Sequence, residues 1–349
     1  MKKAERILID NDLCHDKVAE KIIPQLHFDE NKDLAEYRKA LREKFISIAG
    51  IDKIVPNACA PSITIEQDEM RQGYRFIRFV FESEKNCLVP CYLLIPDTNR
   101  EKYPVALCLQ GHSTGMQDSI GVAYTEEEKA YQPHGAFALQ AVEKGFAALC
   151  VEQRGMGERM SLQRERLWGG KCGFAALTAL LLGRTILGER VWDVSRAIDC
   201  LPHFPQCDAD KVLVTGHSGG GTASYYAACY DERIKLCVPN CAFCTYEESI
   251  LKVYHCPCNY MPRAYEYFDM PDLSALIAPR MLVAVSGVND GIFTIQGARE
   301  GFEIVKGIYK KADAAENCRL VETPGEHCWM EDIVWREICM AAKKLGWEI

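Results

Sequence analysis

The sequence predicts an α/β fold in which a mostly parallel central sheet is covered by helices on both faces. Three observations carry that expectation. Short apolar, β-branched segments recur at 105–109, 147–151, 212–215, 236–239, 281–285 and 319–322, the composition of strands. Helical or mixed segments separate or follow them, at roughly 135–144, 173–200, 220–231, 296–311 and 331–345. Strands that are apolar on both sides and alternate with helices belong in a sheet buried on both faces. Finally, Lys211-Val-Leu-Val-Thr215 runs directly into Gly216-His-Ser-Gly-Gly220, a strand entering a glycine-flanked turn before a helix.

Ahead of this alternation, residues 1–70 are charged and helix-prone. Asp33 to Ile48 sets Leu34, Tyr37, Leu41, Phe45 and Ile48 at helical spacing, as expected of an amphipathic helix laid on a core. The expectation is a helical extension over 1–70 packed on a single domain over 71–349. Tyr74 to Phe81 and Cys87 to Ile95, flanking Glu82 to Asn86, read as an antiparallel hairpin at the sheet edge. Two stretches break the pattern: the charged Gly155 to Gly173 and the aromatic-rich 241–272, the latter expected to be a cap-like insert. Both follow strand ends, where open α/β sheets bind ligands. Trp168, Tyr254 and Tyr260 are therefore candidate substrate-binding residues.

The turn at 216–220 has the chemistry of an activated nucleophile. A serine hydroxyl attacks a carbonyl when it is exposed, deprotonated by a neighbour and close to backbone N–H donors. A sharp strand-to-helix turn presents Ser218 in that way and requires small residues two positions to either side, here Gly216 and Gly220. A base and an orienting acid should follow, each after a later strand. Met281 to Asp290 is a strand and loop ending in an acid, and Cys318 to His327 is a strand and loop ending in a histidine. Ser218, Asp290 and His327 are the candidate catalytic residues, with Glu322 and Glu326 as alternative acids. The oxyanion donors expected are the backbone N–H groups of Gly219 and of His112, the latter in the loop Leu109-Gln-Gly-His-Ser-Thr-Gly115.

Taken as a set, these stretches resemble the α/β-hydrolase superfamily, and within it the bacterial acetyl-xylan esterase-like and dienelactone-hydrolase-like branch. The resemblance covers about 70–345. It rests also on Glu152-Gln-Arg-Gly-Met-Gly157, on Trp192-Asp-Val-Ser-Arg-Ala-Ile-Asp199 and on Ile277-Ala-Pro-Arg280 leading into Asp290-Gly-Ile-Phe293, with Gly325-Glu-His327 completing it. It implies ester deacylation by a Ser-His-Asp mechanism with no cofactor. Gln110 stands where many relatives have the histidine of a His-Gly pair. Serine in place of cysteine at 218 argues against dienelactone hydrolysis itself. Secreted xylan-processing relatives carry a signal peptide, and none is visible here, so small acetylated carbohydrates or other small esters fit better than polymeric xylan.

Composition narrows the partners. The 349 residues carry 41 basic and 49 acidic side chains, a net charge of −8, with no basic stripe. Nucleic acid and anionic membrane are not expected partners; a small-molecule ester is, and a homo-oligomer is compatible. The 18 cysteines sit largely inside apolar runs, as in a reducing, cytoplasmic setting. Cys241-x-x-Cys244 followed by His255-Cys-Pro-Cys258 invites a zinc reading, but the spacing matches no ordinary finger or ribbon, and no metal is expected. Peptidase activity of the prolyl-oligopeptidase type lacks room for an N-terminal propeller, whose blades need about 40–45 residues each. A non-catalytic binding module would need a degraded triad.

Overall fold

The computed structural model describes residues 10, 12–112, 115–124, 126, 129, 135–160 and 171–349. Its centre is a nine-stranded sheet: β1 (Ile63–Arg71), β2 (Tyr74–Glu84), β3 (Cys87–Pro96), β4 (Tyr103–Leu109), β5 (Ala147–Val151), β6 (Cys207–His217), β7 (Ile234–Asn240), β8 (Met281–Gly287) and β9 (Cys318–Thr323). The spatial order is β1-β2-β3-β5-β4-β6-β7-β8-β9. The first three strands form an antiparallel meander that joins β5 antiparallel; from β5 to β9 the strands are parallel. The chain moves outward from β4 to β5 and then returns across β4 to β6, so the direction of winding reverses at the carboxyl ends of β4 and β6. Open α/β sheets bind ligands at such a switch point.

The helices are α1 (Asp12–Ala19), α2 (Leu34–Ala49), α3 (Phe137–Glu143), α4 (Lys171–Leu181), α5 (Ile186–Cys200), α6 (Gly219–Tyr230), the four-residue α7 (Ala264–Tyr267), α8 (Ile295–Lys311) and α9 (Glu331–Lys344). Alternation along a strand sends successive side chains to opposite faces, and β4 shows it. Val105, Leu107 and Leu109 enter a core shared with α2, α5, α6 and α8, while Ala106 and Cys108 enter a second core shared with α3 and α9. Among the described residues no single helix is long and apolar enough to cross a membrane.

Residues 63–71, expected within a helical extension, form a strand instead. Pairing with β2 through the two-residue turn Gln72-Gly73 gives this segment its hydrogen bonds, and a register shift at Ile65/Gln67 bends it. Its side chains are largely exposed, so it lacks the apolar alternation that marks a buried strand. The segment 173–200, expected to be helical or mixed, holds α4 and α5 with Gly183 between them, whose φ of 71° ends α4.

The helix expected over 33–48 is α2. Asp33 caps it, its carboxylate accepting from the N–H of Ala35 and Glu36 at 2.9 Å each. Leu41 and Phe45 are fully buried, and Phe45 stacks on Tyr226 with ring centroids 5.8 Å apart. Burial of such a side chain contributes about 1.5–3 kcal/mol, which anchors α2 to α6. The irregular stretch before α2 is also tied down: the N–H of Leu26 donates to Tyr267 O at 2.6 Å, and that of Phe28 to Asp272 at 2.9 Å.

The aromatic segment 241–272 contributes mainly to the core. Phe243 and Phe268 are fully buried, and the Tyr246 hydroxyl bonds that of Tyr226 at 2.7 Å. These rings fill space under the insert, where the sequence alone suggested pocket wall.

Candidate active site

Ser218 sits between β6 and α6 with φ 54° and ψ −122°, a strained backbone for a residue with a side chain. Two close approaches explain the flanking glycines. A Cβ on Gly216 would lie 2.4 Å from Leu109 O, and one on Gly220 only 2.0 Å from the same atom. The turn is therefore pressed onto the end of β4, and neighbouring backbone holds it there: the Ser218 N–H donates to Asn240 O at 3.0 Å, and that of Thr222 to Ser218 O at 2.8 Å.

His327, in the loop after β9, reaches Ser218 from the side. Its Nε2 lies 2.8 Å from Ser218 Oγ, and its Nδ1 lies 2.8 Å from Asp290 Oδ2. Asp290 follows β8, and its carboxylate is fully shielded from solvent. Its other oxygen accepts from the N–H of Ile292 at 2.8 Å and of Phe293 at 3.0 Å. Burial works to raise the Asp290 pKa. The hydrogen bond and charge of His327, with the two backbone donors, more than offset it and hold the carboxyl below its ordinary value. The ring of Phe293 lies near-parallel to that of His327, and His217 packs on the imidazole at 4.8 Å between centroids. The insert braces this loop, since Ser249 Oγ bonds both His255 Nε2 at 3.0 Å and Ile292 O at 2.8 Å.

The loop after β4 lies against the same turn. A Cβ on Gly111 would sit 3.4 Å from Ser218 Cβ, and one on Gly219 would sit 2.7 Å from the His112 ring. Gly219 opens α6, so its N–H belongs to the unpaired, partially positive end of a helix. The loop is held from beneath by residues that the sequence reading had not assigned a role. Glu152, fully buried after β5, accepts from Gln110 Nε2 at 2.9 Å, from Met116 N at 3.1 Å and from Glu158 N at 3.2 Å. Gln153 Nε2 donates to Gln110 O at 2.5 Å. Burial pushes the Glu152 pKa up to about 7. Gln110, which departs from the His-Gly pattern, thus has partners of its own. The signal available in the sequence was a glutamate directly after an apolar strand, ahead of Gly155 and Gly157.

A buried ion network fixes the segment that carries Glu152. Asp193 on α5 accepts from Arg154 Nε at 2.8 Å and from Arg159 Nη1 at 2.7 Å, and Glu84 on β2 accepts from Arg154 and Arg184, each at 2.9 Å. Burial acts to raise the Asp193 pKa, and the charges of Arg154 and Arg159 reverse this, holding it far below the carboxylate range.

The other sequence candidates are placed as follows. Tyr254 is 90 % exposed, and Tyr260 lines an apolar cavity of about 420 Å³ between α1 and the insert, with Val18, Ile22 and Met261. Trp168 lies outside the described residues. Glu322 pairs with Arg299 at 2.6 Å on the surface. Cys241 lies beside Asp290 and His327, and Cys244 bonds Thr294 O, so neither joins Cys256 and Cys258.

A sequence family described as the Abhydrolase family matches residues 4–325. The chain belongs to the α/β-hydrolase family. A Bacillus subtilis strain 168 protein, YtaP, whose name proposes a hydrolase, is 24% identical over 242 residues, 68% of this chain and 77% of its own length. A Bacteroides fragilis structure proposed to be an acetyl xylan esterase superposes with a TM-score of 0.77 at 19% identity, covering 99% of this α/β-hydrolase and 97% of that chain. Methylesterase BT1017 gives 0.71 at 19%, over 95% and 69%. At these identities the likeness is one of fold, while the family match classes the chain as a hydrolase.

Proposed function

We propose that this α/β-hydrolase cleaves small carboxylic esters, acetylated carbohydrates foremost, by a Ser-His-Asp acyl-enzyme mechanism. The observation that carries the reading is the continuous contact from Ser218 Oγ to His327 Nε2 and from Nδ1 to Asp290, each at 2.8 Å. His327 takes the Ser218 proton as the hydroxyl attacks the ester carbonyl. Asp290 holds the imidazole in the tautomer whose Nε2 is free to accept, and stabilises the imidazolium that forms. The N–H groups of Gly219 and His112 receive the oxyanion, each donor being worth roughly 3–4 kcal/mol in the transition state. His327 then returns its proton to the departing alcohol and activates a water that hydrolyses the acyl-serine.

The solved neighbours suggest which side of the ester is small. An acetyl ester has a small acyl group and a methyl ester a small alcohol, and we favour the first because the more similar neighbour is an acetyl esterase by name. A fluorophosphonate probe should label the wild-type protein and leave Ser218→Ala unlabelled. A series of p-nitrophenyl esters run beside acetylated sugars and methyl uronates should show preference for acetyl. Equal labelling of Ser218→Ala removes the mechanism; preference for long acyl chains or methyl uronates removes the acetyl assignment.

A further inference from the structure

Four metal-ligand side chains that take no part in the proposed chemistry meet beside the Ser218 turn. The imidazole of His112 and the thiols of Cys172, Cys256 and Cys258 offer one nitrogen and three sulfurs, all within 4.8 Å of one another. Three separate parts of the chain supply them: the loop after β4, the first turn of α4, and the 3-10 turn Pro257–Asn259 with the residue before it. His112 Nε2 lies 3.8 Å from Cys172 Sγ and 2.9 Å from Cys258 Sγ. A tetrahedral zinc ion, with Zn–S about 2.3 Å and Zn–N about 2.0–2.1 Å, spaces its donors about 3.5–3.8 Å apart. The His112–Cys172 separation matches that spacing, and the His112–Cys258 separation is shorter than it by less than about 1 Å.

A second observation concerns charge. Arg190 is 2% exposed, and its partners among the described residues include the carbonyl oxygen of Arg154, at 2.8 and 3.1 Å, Cys172 Sγ, at 3.0 Å, and the Cys258 thiol. No carboxylate among the described residues pairs with it. A buried guanidinium needs an anion. Three thiolates around a divalent cation sum to 2 − 3 = −1 and supply that anion.

We propose that His112, Cys172, Cys256 and Cys258 form a Cys3His site for zinc. Four protein ligands close the coordination sphere, so the ion is structural and leaves no open position for water or substrate. Ala176, Ala179 and Ile186 give it an apolar wall, and the partly exposed Cys256 marks the route of entry. Its effect is to clamp the turn at 256–259 to α4 and to hold the His112 ring where it packs over Gly219. Of the cysteines that spacing grouped, Cys256 and Cys258 are in this cluster, with Cys172 and His112 in place of Cys241 and Cys244.

The test is metal content, which is read without reference to ester hydrolysis. The full chain, purified in reducing buffer and equilibrated with zinc, should hold about one equivalent after gel filtration. Titrated with cobalt(II) after removal of zinc, it should show the thiolate charge-transfer bands and the intense visible bands of a tetrahedral site. Cys258→Ser and the double variant Cys256→Ser/Cys258→Ser should lose most of the bound zinc, while Cys244→Ser keeps it. Less than about a tenth of an equivalent in the wild type, or unchanged content in the double variant, overturns the proposal. Should the cysteine variants fail to fold, the cobalt spectrum of the wild type decides: an octahedral, thiolate-free spectrum overturns it.

Discussion

Asp290 and Glu152 are both buried carboxyls near the Ser218 turn, and their surroundings drive them in opposite directions. Asp290 faces an imidazole and two N–H donors and is lowered. Its job in the proposed mechanism is to stay ionised and keep one His327 tautomer. Asp290→Asn should therefore leave folding intact yet reduce kcat on p-nitrophenyl acetate by roughly 10⁴-fold; a loss below tenfold would remove Asp290 from the triad. Among the described residues no cation hydrogen-bonds the Glu152 carboxyl, Arg159 donating instead to its backbone oxygen at 2.9 Å, and burial raises it to about 7. The folded state then binds a proton that the unfolded chain releases near its ordinary value of 4.5. Stability from this group is greatest below about pH 4.5, falls as pH rises toward 7, and is level above that, with a span of at most about 3 kcal/mol. Urea unfolding of the wild type and of Glu152→Gln between pH 4.5 and 8 should show that fall in their difference, which cancels other groups such as Asp269, also raised to about 7. A pH-independent difference would mean that Glu152 is ionised throughout.

At the scale of elements, the site depends on segments that never touch Ser218. The stretch after β5 is locked to α5 and β2 by Asp193 and Glu84, whose side chains are 2% and 3% exposed. Removing one partner from such a network leaves a desolvated charge behind, which typically costs about 3–5 kcal/mol. Asp193→Ala should lower the unfolding free energy measured in urea by that amount, and because the same stretch carries Glu152 it should also slow ester hydrolysis. A change under about 1 kcal/mol would show the network to be dispensable. These dependencies also explain what could be read in the chain. Each position of the proposed triad had a local signal, a polar residue in the turn or loop after an apolar strand. The edge strand β1 was not, because Glu66, Asp68 and Glu69 leave no apolar face to count. How deeply the aromatic insert is buried could not be read, because residue type does not report burial, and Phe243 looks the same in sequence whether it lines a pocket or fills a core. Of the thiol cluster only Cys256 and Cys258 were visible locally, since His112 and Cys258 are 146 positions apart.

For the whole molecule, the order of strands accounts for the placement of the site. The reversal between β5 and β6 opens a crevice at the ends of β4 and β6, and β8 and β9 deliver the acid and the histidine to the same rim. The same order leaves β1 at one margin of the sheet, with no further strand beyond it among the described residues. That strand carries ion pairs of Arg78 with Glu66 at 2.6 Å, Arg75 with Asp68 at 2.6 Å and Arg71 with Glu69 at 2.8 Å. Exposed pairs of this kind are each worth only about 0–1 kcal/mol, too little to explain them as supports of the fold. Unpaired strand margins invite another chain to add on, and charges together with a bulge are the usual protection. Neutralising Glu66, Asp68 and Glu69 to amides should leave the thermal midpoint nearly unchanged while raising light scattering with protein concentration; unchanged scattering would show that the margin is protected by other means. The charged rim of β1 then serves solubility: it keeps an open-ended sheet from growing into fibres or aggregates of its own kind.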